Sequence, residues 1–338
     1  MTALVLGGGI VGLWTADSLQ RRGVDVKVIS ASDHSSTTSA AAVCVLLPFF
    51  PGDPASDVFK REIRWAEDTL QYVRRQDPGL KSFLELTTCY EFGLDGMIED
   101  GFPVEKLDYL DFAAFEIIHL DRVVADCNFA VKFDCYLCNT AVYMSWLVED
   151  LKSRGVEFEL ARVDGLDDLE VLARPFDVVL NCTGFSSLFP DPELYPVSGQ
   201  SMFVPMDDDA PQRRFGLGAG HHAIFRHQRG FYLGSYFLTR KLYGIPRKDL
   251  YRQSIDFAGG SYRQLCESVG EEAPSIDVSR VERVNAGIRP FRTTGPRVEF
   301  ESIGGLSIVH NYGHGAHGWT IGHATAELAA AIAMEKTG

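Results

Sequence analysis

The sequence predicts an α/β protein in which both ends of the chain build one parallel sheet and an α+β domain with an antiparallel sheet is inserted between them. Three observations support this fold class. The chain of 338 residues begins with an apolar strand that runs into a Gly-rich loop. A second Gly-rich segment, 310–320, follows another apolar strand and precedes an Ala-rich C-terminal helix. Between these segments the pattern changes to short runs of alternating polar and apolar residues, which are typical of antiparallel strands.

The N-terminal segment has the pattern of a β-α-β unit that binds a dinucleotide. Ala3–Leu6 is a continuous apolar run, as in a strand that is buried on both faces of a parallel sheet. Gly7, Gly9 and Gly12 then fit the G-x-G-x-x-G spacing, which permits a tight turn, close approach of a pyrophosphate, and close packing of the next helix. A helix and a second strand within 11–29 complete the unit, so we expect a Rossmann-type domain.

The acidic residue that usually closes the second strand of such a unit is missing. It is expected about 20 residues after the Gly-rich loop, where its carboxylate binds the ribose hydroxyls. This sequence has Ser30 and Ser32 at that place, with Asp33 one position later. Either Asp33 reaches back through an irregular turn, or Ser30 and Ser32 bond the ribose more weakly, and the sequence leaves both alternatives open.

Composition and charge narrow the classes of function. Hydrophobic residues make up 46% of the chain, which is enough for a sizeable core, and the formal net charge is −14. This acidic balance argues against nucleic acid and anionic membrane surfaces as partners. No apolar run reaches the roughly 18 residues of a membrane-spanning helix. The N-terminus opens into a strand rather than a signal peptide, so we expect a cytoplasmic protein, with a homodimer left open as its assembly.

The seven cysteines are scattered and odd in number, which does not indicate a disulfide framework. Cys135 and Cys138 form a C-x-x-C, but the sequence has no second such pair and no nearby histidine to complete a metal site. We therefore interpret both as small buried thiols on a strand or turn, and we expect no metal.

Further periodic segments divide the chain into two domains. A helix is predicted over 140–154, with Trp146, Leu147 and Leu151 facing inward. The other predicted elements are helix 11–22, strand 24–29, helix 57–75, strands 156–160, 176–184, 203–204, 230–234 and 305–310, and helix 320–334. The cofactor domain is assigned to 1–50, 140–198 and 295–338, and the substrate domain to 51–139 and 199–294.

The two most specific motifs of the chain are Gly287-Ile288-Arg289-Pro290 and Asn311-Tyr312-Gly313-His314-Gly315. Together with the N-terminal loop, the sequence resembles the D-amino-acid oxidase group of FAD oxidoreductases, which includes D-aspartate oxidase and is related to glycine oxidase. The resemblance runs in order over nearly the whole chain. Its other parts are the segments 7–12, 37–42, 146–147, 155–163, 177–184, 199–200 and 232–234. The resemblance implies FAD as a non-covalently bound cofactor.

The cofactor residues that the resemblance implies come from both Gly-rich segments and from the loops between them. The first segment and Ser39 would meet the pyrophosphate and ribitol, Val163 the adenine, and Gly315 the isoalloxazine. The full set is Gly7, Gly9, Ile10, Val11, Gly12, Ser30, Ser32, Asp33, Thr37, Thr38, Ser39, Val163, Cys182, Gly184, Arg289, Gly315, Ala316, His317, Gly318, Trp319 and Thr320.

The substrate side departs from the family pattern. Two tyrosines that lie over the substrate in the amino-acid oxidases match Ala219 and Ala223 here. A glutamine before the active-site proline is Leu47, and the arginine before Gly199 is Ser198. The arginine that clamps the substrate carboxylate is kept as Arg289. The resemblance thus implies a retained carboxylate anchor in a larger and less polar pocket.

Candidate residues for this rebuilt pocket lie near the positions that have changed. His317 stands where the family has a tyrosine in the C-terminal loop, and two histidines flank the lost tyrosines. The candidate catalytic residues are Arg289, His317, His222, His221, Tyr236 and Arg240.

The implied reaction removes a hydride from the carbon that bears the amine of a carboxylate-containing amine. The product is an imine and then a keto acid, while O₂ is reduced to H₂O₂. The substrate is a D-amino acid or a larger amino-acid-like intermediate. An alternative is a flavin-dependent tailoring enzyme that acts on another C–N or C–O bond. A non-catalytic flavin-binding protein is a further alternative, but such a protein has no use for a costly enclosed cation such as Arg289.

Overall fold

The structure, a computed structural model, describes residues 1–46, 55–75, 83–93, 115–186, 188–206, 215–219, 222–227, 230–234, 238–240 and 246–337. The helices are α1 (Ile10–Gln20), α2 (Asp57–Arg75), α3 (Thr140–Ser153), α4 (Leu166–Ala173), α5 (Lys248–Gly259), α6 (Ser261–Ser268) and α7 (Gly318–Thr337). The strands are β1 (Thr2–Leu6), β2 (Asp25–Ser30), β3 (Val45–Leu46), β4 (Leu84–Gly93), β5 (Glu116–Val124), β6 (Cys127–Cys138), β7 (Glu157–Leu160), β8 (Val178–Asn181), β9 (Leu194–Pro205), β10 (Phe215–Ala219), β11 (His222–His227), β12 (Gly230–Gly234), β13 (Leu238–Thr239), β14 (Arg283–Arg292), β15 (Arg297–Ile303) and β16 (Leu306–Tyr312).

The first sheet joins the two ends of the chain. Its six strands have the order β15-β16-β8-β1-β2-β7, and all neighbours are parallel except β15, which pairs antiparallel with β16. Helices α1, α3 and α7 contribute Leu13, Met144 and Ala330 to the core on one face, and α4 packs Leu169 against the other. This arrangement confirms the predicted α/β class with a discontinuous Rossmann-type domain.

The second sheet forms the other layer of the molecule. Its ten strands follow the order β13-β9-β12-β11-β10-β4-β6-β3, with β14 paired to β9 and β5 paired to β6. The strands β9, β12, β11 and β10 are antiparallel neighbours, whereas β10 runs parallel to β4. Helices α5 and α6 cover one face through Phe257, Tyr262 and Leu265. Residues of the opposite face border the cavity described in the next section.

Most of the periodic segments form the predicted elements. The predicted helix 57–75 coincides with α2, and the bounds of α1, α3 and α7 lie within three residues of their predictions. The predicted inward orientation of Trp146 is wrong, because this side chain is 39% exposed at the edge of α3. It still packs its ring against Phe83 and Tyr143, with centroid distances of 5.7 Å to each.

Two features of the second sheet go beyond the sequence patterns. Strands β4, β6 and β14 have no counterpart among the predicted elements, although β4 and β6 form a ladder ten residue pairs long. The C-x-x-C motif lies on β6, where Cys135 and Cys138 point to opposite faces; the Sγ of Cys135 is 3.2 Å from that of Cys89, and Cys138 packs with Cys44.

The proposed domain limits stay a prediction. Strand β3 lies within the segment assigned to the cofactor domain but pairs with β6 of the second sheet, and β9 begins at Leu194, before the assigned limit at 198. Among the described residues, no helix combines the length and apolar character that a membrane span requires.

Candidate active site

One large cavity lies where the two sheets meet. Its volume is about 930 Å³, within the usual range for cofactor and ligand sites. The N-terminal loop contributes Gly7 to this cavity, and the C-terminal loop contributes Gly315 and Trp319. The second sheet contributes Arg289 from β14 and Ala223 from β11. The two Gly-rich segments, which are separated by nearly the whole chain, therefore border the same space.

The N-terminal loop has a backbone that only glycine fits. Gly7 has φ +115°, and a Cβ there would lie 2.4 Å from the carbonyl oxygen of Cys182. A Cβ at Gly12 would lie 2.0 Å from the carbonyl oxygen of Gly7. Because glycine has no Cβ, α1 can approach the loop this closely. Ser39 accepts a hydrogen bond from the Ile10 amide at 3.0 Å and so ties the loop to the segment 37–39.

The residues at the end of β2 are divided between the cavity and the surface. Ser30 and Ser32 line the cavity, and Ser30 accepts a hydrogen bond from the Gly8 amide at 3.1 Å. Asp33 lies away from the cavity, where its carboxylate accepts hydrogen bonds from the amide and hydroxyl of Ser35. Of the two alternatives for the ribose, this placement favours the serines, while ribose binding itself stays a prediction.

The C-terminal loop is held by bonds to both domains. The side-chain amide of Asn311 donates to the hydroxyl of Thr15 on α1 at 3.0 Å, and the Trp319 indole donates to the Ser39 carbonyl at 3.1 Å. The Gly315 amide donates to the carbonyl of Pro290 on β14 at 2.8 Å. These bonds fix the start of α7 against the cavity.

The histidines of this loop are buried. His314 is hydrogen-bonded through Nε2 to Thr325 at 2.8 Å, and burial lowers its pKa to about 3, so its imidazole is neutral near pH 7. His317 lines the cavity and is 5% exposed, with its ring edge-on to Phe291 at a centroid distance of 6.3 Å.

Arg289 lies where the second sheet meets the segment 37–39 and the C-terminal Gly-rich segment. Its neighbour Ile288 accepts a hydrogen bond from the Thr38 hydroxyl at 3.3 Å, and Pro290 binds the C-terminal loop as described above. The guanidinium rests on the backbone of Gly199, because a Cβ there would lie 2.3 Å from Nη1 of Arg289. Protein atoms enclose the guanidinium, and this burial lowers the pKa of Arg289 to about 10.

Most of the predicted cofactor residues line the cavity. These are Gly7, Gly9, Val11, Ser30, Ser32, Thr37, Thr38, Ser39, Val163, Cys182, Gly184, Arg289, Gly315, Ala316, His317, Gly318 and Trp319. Four of the predicted residues, Ile10, Gly12, Asp33 and Thr320, do not line it, and the first two act on the site through the loop and helix packing described above. The roles of all these residues in cofactor binding stay predictions.

The predicted substrate residues are more dispersed. His222 borders the cavity, with its ring stacked on Phe257 at a centroid distance of 4.7 Å. Arg240 is exposed and lies over the ring of Tyr195 at 5.2 Å, and it does not line the cavity. Leu47, His221 and Tyr236 fall outside the described residues.

The two alanines that match the family's tyrosines face different surroundings. Ala223 on β11 lines the cavity. Ala219 is 9% exposed and packs in the core of the second sheet with residues such as Leu217. The space opened toward the cavity in the described residues is therefore the space beside Ala223.

The sequence patterns did not single out three charged residues that line this cavity, Arg162, Asp164 and Glu91. Arg162 and Asp164 form an exposed ion pair with each other. Glu91 on β4 lines the cavity, and burial raises the pKa of its carboxyl to about 8. The run Leu84–Gly93 alternates in the manner of a strand, which is the signal that could have placed Glu91 on a sheet face. Which face the residue would occupy depends on pairing with β6 and β10, distant in sequence.

The cavity suits a dinucleotide such as FAD. Gly9, the N-cap residue of α1, has no side chain to cap the helix amides, and the first turn of α1 carries no acidic residue. The N-terminus of α7 also reaches the cavity, at Gly318 and Trp319. Amides and a positive dipole end at a helix N-terminus favour anionic groups. The N-termini of the two helices lie side by side, because a Cβ at Gly318 would be 3.8 Å from the Val11 side chain. Both therefore offer positions for anionic groups of such a cofactor at this part of the cavity.

Comparison with known proteins agrees with this arrangement. The family described as FAD dependent oxidoreductase matches residues 2–332. A D-amino-acid oxidase of Rubrobacter xylanophilus is 27% identical over 345 residues, which cover 98% of this chain and 95% of that protein. The D-aspartate oxidase of Homo sapiens is 26% identical over 352 residues, which cover 98% of this chain and 94% of that protein.

Solved structures share the fold over the same length. A glycine oxidase from Bacillus cereus superposes with a TM-score of 0.70 at 15% identity, covering 100% of this chain and 96% of that chain. At this identity the likeness concerns the fold.

Proposed function

The chain belongs to the FAD dependent oxidoreductase family, and from this premise and its cavity we propose that it oxidises the C–N bond of an amine that carries a carboxylate. The substrate would be a D-amino acid or a larger amino-acid-like compound. The carbon that bears the amine loses a hydride, the resulting imine hydrolyses to a carbonyl product and ammonia, and O₂ is reduced to H₂O₂. FAD, when bound, supplies the two-electron acceptor for this oxidation.

The observation that carries the proposal is the position of Arg289. Its guanidinium lies on the backbone of Gly199 in the cavity that both Gly-rich segments border. A planar guanidinium binds a carboxylate through two parallel hydrogen bonds, which fix orientation as well as position. An arginine placed there would orient the C–H bond of the substrate toward the cofactor, which is the main contribution a protein makes to such a reaction.

Other parts of the cavity support this role. The N-terminus of α7 reaches the cavity and favours negative charge beside Gly318. The neutral imidazole of His314 adds no competing positive charge at this place. His317 borders the same space and would contact the substrate or the cofactor ring.

The small side chain of Ala223 supports a substrate larger than alanine or glycine. In the amino-acid oxidases that the sequence resembles, a tyrosine fills this position. We therefore expect weak activity on D-alanine and glycine and better activity on a bulky carboxylate-bearing amine. The same open space favours the second candidate, a tailoring oxidoreductase that acts on a secondary amine or another C–O or C–N bond of a larger compound.

Reduction of the bound flavin in the absence of oxygen tests the proposal. The holoenzyme is mixed anaerobically with D-alanine, glycine, bulky D-amino acids and N-alkylated amino acids, and the loss of the yellow absorbance is followed. Bleaching by bulky D-amino acids supports the proposal, and bleaching by N-alkylated compounds alone supports the second candidate. Efficient reduction by D-alanine at low concentration would contradict the expected pocket.

Acid precipitation tests the manner of cofactor binding. We expect FAD to remain in the supernatant when the protein precipitates, because the proposed contacts are hydrogen bonds and backbone amides. Yellow colour retained on the denatured chain would mean a covalent link, and His314, His317 and Cys182 would then be the cavity residues to examine.

A further inference from the structure

The cavity holds two charged side chains that are far apart on the second sheet. Within the described part of the chain, Arg162, Asp164, Glu91 and Arg289 are the Asp, Glu, Lys and Arg residues that line it. Arg162 and Asp164 are exposed and form an ion pair with each other at 2.7 Å. Arg289 is assigned above to a carboxylate, so Glu91 is the charge that the proposed function does not use.

The carboxyl of Glu91 lies over the neighbouring strand. Glu91 on β4 is in register with Gly218 on β10, and a Cβ at Gly218 would lie 2.0 Å from Oε2 of Glu91. The carboxyl therefore occupies the space that any larger residue at position 218 would fill. Among the described residues, no hydrogen bond or ion pair joins Glu91 to another side chain. The thiol of Cys89, which also lines the cavity, lies close enough to interact with this carboxyl.

Small residues connect this carboxyl with the arginine. The sheet register continues from Gly218 to Ala223 on β11, then to Gly234 on β12 and Ser201 on β9. Of this row, Gly218, Ala223 and Ser201 line the cavity. The guanidinium of Arg289 rests on Gly199 of the same strand β9. Three interstrand steps thus separate the two charged groups, or roughly 14 Å across the sheet.

We propose that Glu91 forms a subsite for a cationic group at the far end of the substrate, so that the oxidised amine carries a carboxylate at one end and an ammonium or guanidinium at the other. This inference rests on the proposed function, because it takes Arg289 as the carboxylate site. The substrate class would be a D-amino acid, or a longer amino-acid-like amine, whose side chain ends in a cation.

Electrostatics supports a cationic occupant. Burial raises the pKa of Glu91 to about 8, because desolvation disfavours the carboxylate and no cation of the described residues is paired with it. A ligand cation would supply that charge and lower the pKa. Two thiols interact with Glu91: the hydrogen bond to Cys135 and burial raise the pKa of Cys89, and burial and nearby acids raise the pKa of Cys127, so both stay neutral. Of the other titratable residues that line the cavity on β4 and β11, Tyr90 donates its hydroxyl hydrogen to Glu271, and the ring of His222 stacks on Phe257. Strand β10 contributes glycines beside the carboxyl.

Binding of compounds that cannot be oxidised tests the subsite without turnover. The probes are the matched pairs ω-aminooctanoate and octanoate, and ε-aminocaproate and hexanoate, which differ only in the terminal ammonium. Affinity is read from the change they cause in the absorbance of the bound flavin. We expect the ammonium to improve the dissociation constant at least tenfold in one pair. The advantage should grow between pH 7 and 9, as the fraction of ionised Glu91 rises.

Two variants assign the effect to Glu91. In Glu91→Gln the dissociation constants of the two members of each pair should lie within about twofold of each other, while octanoate keeps its wild-type affinity. Gly218→Ala keeps the charge but displaces the carboxyl, and should reduce the ammonium advantage. Glu116→Gln on β5, whose side chain is 67% exposed, is the matched control and should leave the advantage intact. Equal binding of both members of each pair in the wild type would overturn the inference.

Turnover with D-arginine and its neutral isostere D-citrulline separates this inference from the proposed function. Flavin reduction by both, with at least a tenfold higher kcat/KM for D-arginine that Glu91→Gln removes, supports the subsite. Equal kcat/KM values would overturn the subsite and leave the proposed function standing. If no carboxylate-bearing amine reduces the flavin, the proposed function fails, whatever the probes show.

Discussion

Replacement of Arg289 by leucine is the most direct test of the carboxylate anchor. Burial lowers the pKa of Arg289 to about 10, which corresponds to roughly 3 kcal/mol by which the site disfavours the cation. A substrate carboxylate bound to the guanidinium regains this energy and adds two charge-assisted hydrogen bonds. Removal of one member of such a pair costs about 3–5 kcal/mol. We therefore expect kcat/KM to fall by a factor on the order of a hundred or more.

The assay compares kcat/KM and cofactor content in three proteins. Arg289→Leu should retain FAD, because the arginine contacts the substrate side of the cavity. Arg289→Lys should also lose most activity, because an ammonium cannot present the planar fork of a guanidinium. Arg283→Leu on the exposed start of β14 is the matched control and should be nearly normal.

The reasoning would be refuted by an Arg289→Leu holoenzyme whose kcat/KM stays within about threefold of the wild type. Loss of both FAD and activity would instead show that Arg289 mainly supports the cofactor. The flavin-to-protein absorbance ratio distinguishes these results before any kinetic measurement is made.

Three further predictions concern the cofactor loop, the helix layer and the pocket. Gly7→Ala should lose FAD on gel filtration, because its Cβ would lie 2.4 Å from the Cys182 carbonyl oxygen, and an unchanged absorbance ratio would contradict this. Glu327→Gln should lower the free energy of unfolding by about 1–2 kcal/mol at pH 7, since Glu327 is bonded to Arg21 at 2.7 Å and partly exposed. The pKa of Glu327 is lowered to about 2, so its contribution to stability is present above pH 4.5 and is lost as the pH falls from there toward 2. A difference in urea midpoint between wild type and variant that stays constant over that range would contradict this prediction. Ala223→Tyr should reduce kcat/KM for bulky D-amino acids more than for D-alanine, and an equal effect on both would argue against open space there.

The parts of the fold that depend on local signals could be predicted from the sequence. The strand, loop and helix around Gly7 carry their own spacing rule, and α2 shows a clear helical period, so their bounds are close to prediction. The sequence predicts that the two Gly-rich segments lie together only under the additional premise that both bind one cofactor. Ser39 joins the two segments, because its carbonyl accepts a hydrogen bond from the Trp319 indole and its hydroxyl accepts one from the Ile10 amide.

The parts that depend on pairing between distant strands were harder to predict. The inward face of β4 follows from its register with β6 and β10, which lie more than 35 and more than 120 residues away in the chain, so the local pattern does not show that Glu91 faces the cavity. Gly199 illustrates the same limit: its small size matters because the guanidinium of Arg289 crosses it from β14. Local patterns predict which residues form a strand, but the partners of a side chain are set by the assembled sheet.

Arg289 and Glu91, the charged residues of the second sheet that line the cavity, also limit how far the likeness to D-aspartate oxidase extends to the substrate. A dicarboxylic amino acid bound through one carboxylate at Arg289 would direct the other toward the side of the cavity that ends at Glu91. Two carboxyl groups in an enclosed, weakly polar space repel each other when both are ionised. Binding therefore requires that one of them takes up a proton or that this repulsion is overcome. We therefore predict that D-glutamate is a poorer substrate than D-glutamine, by about tenfold or more in kcat/KM at pH 8. The difference should narrow in Glu91→Gln and persist in the control Glu116→Gln. A wild-type preference for D-glutamate would require a second cation near the substrate, and would contradict the assignment of Glu91 to the substrate half of the cavity.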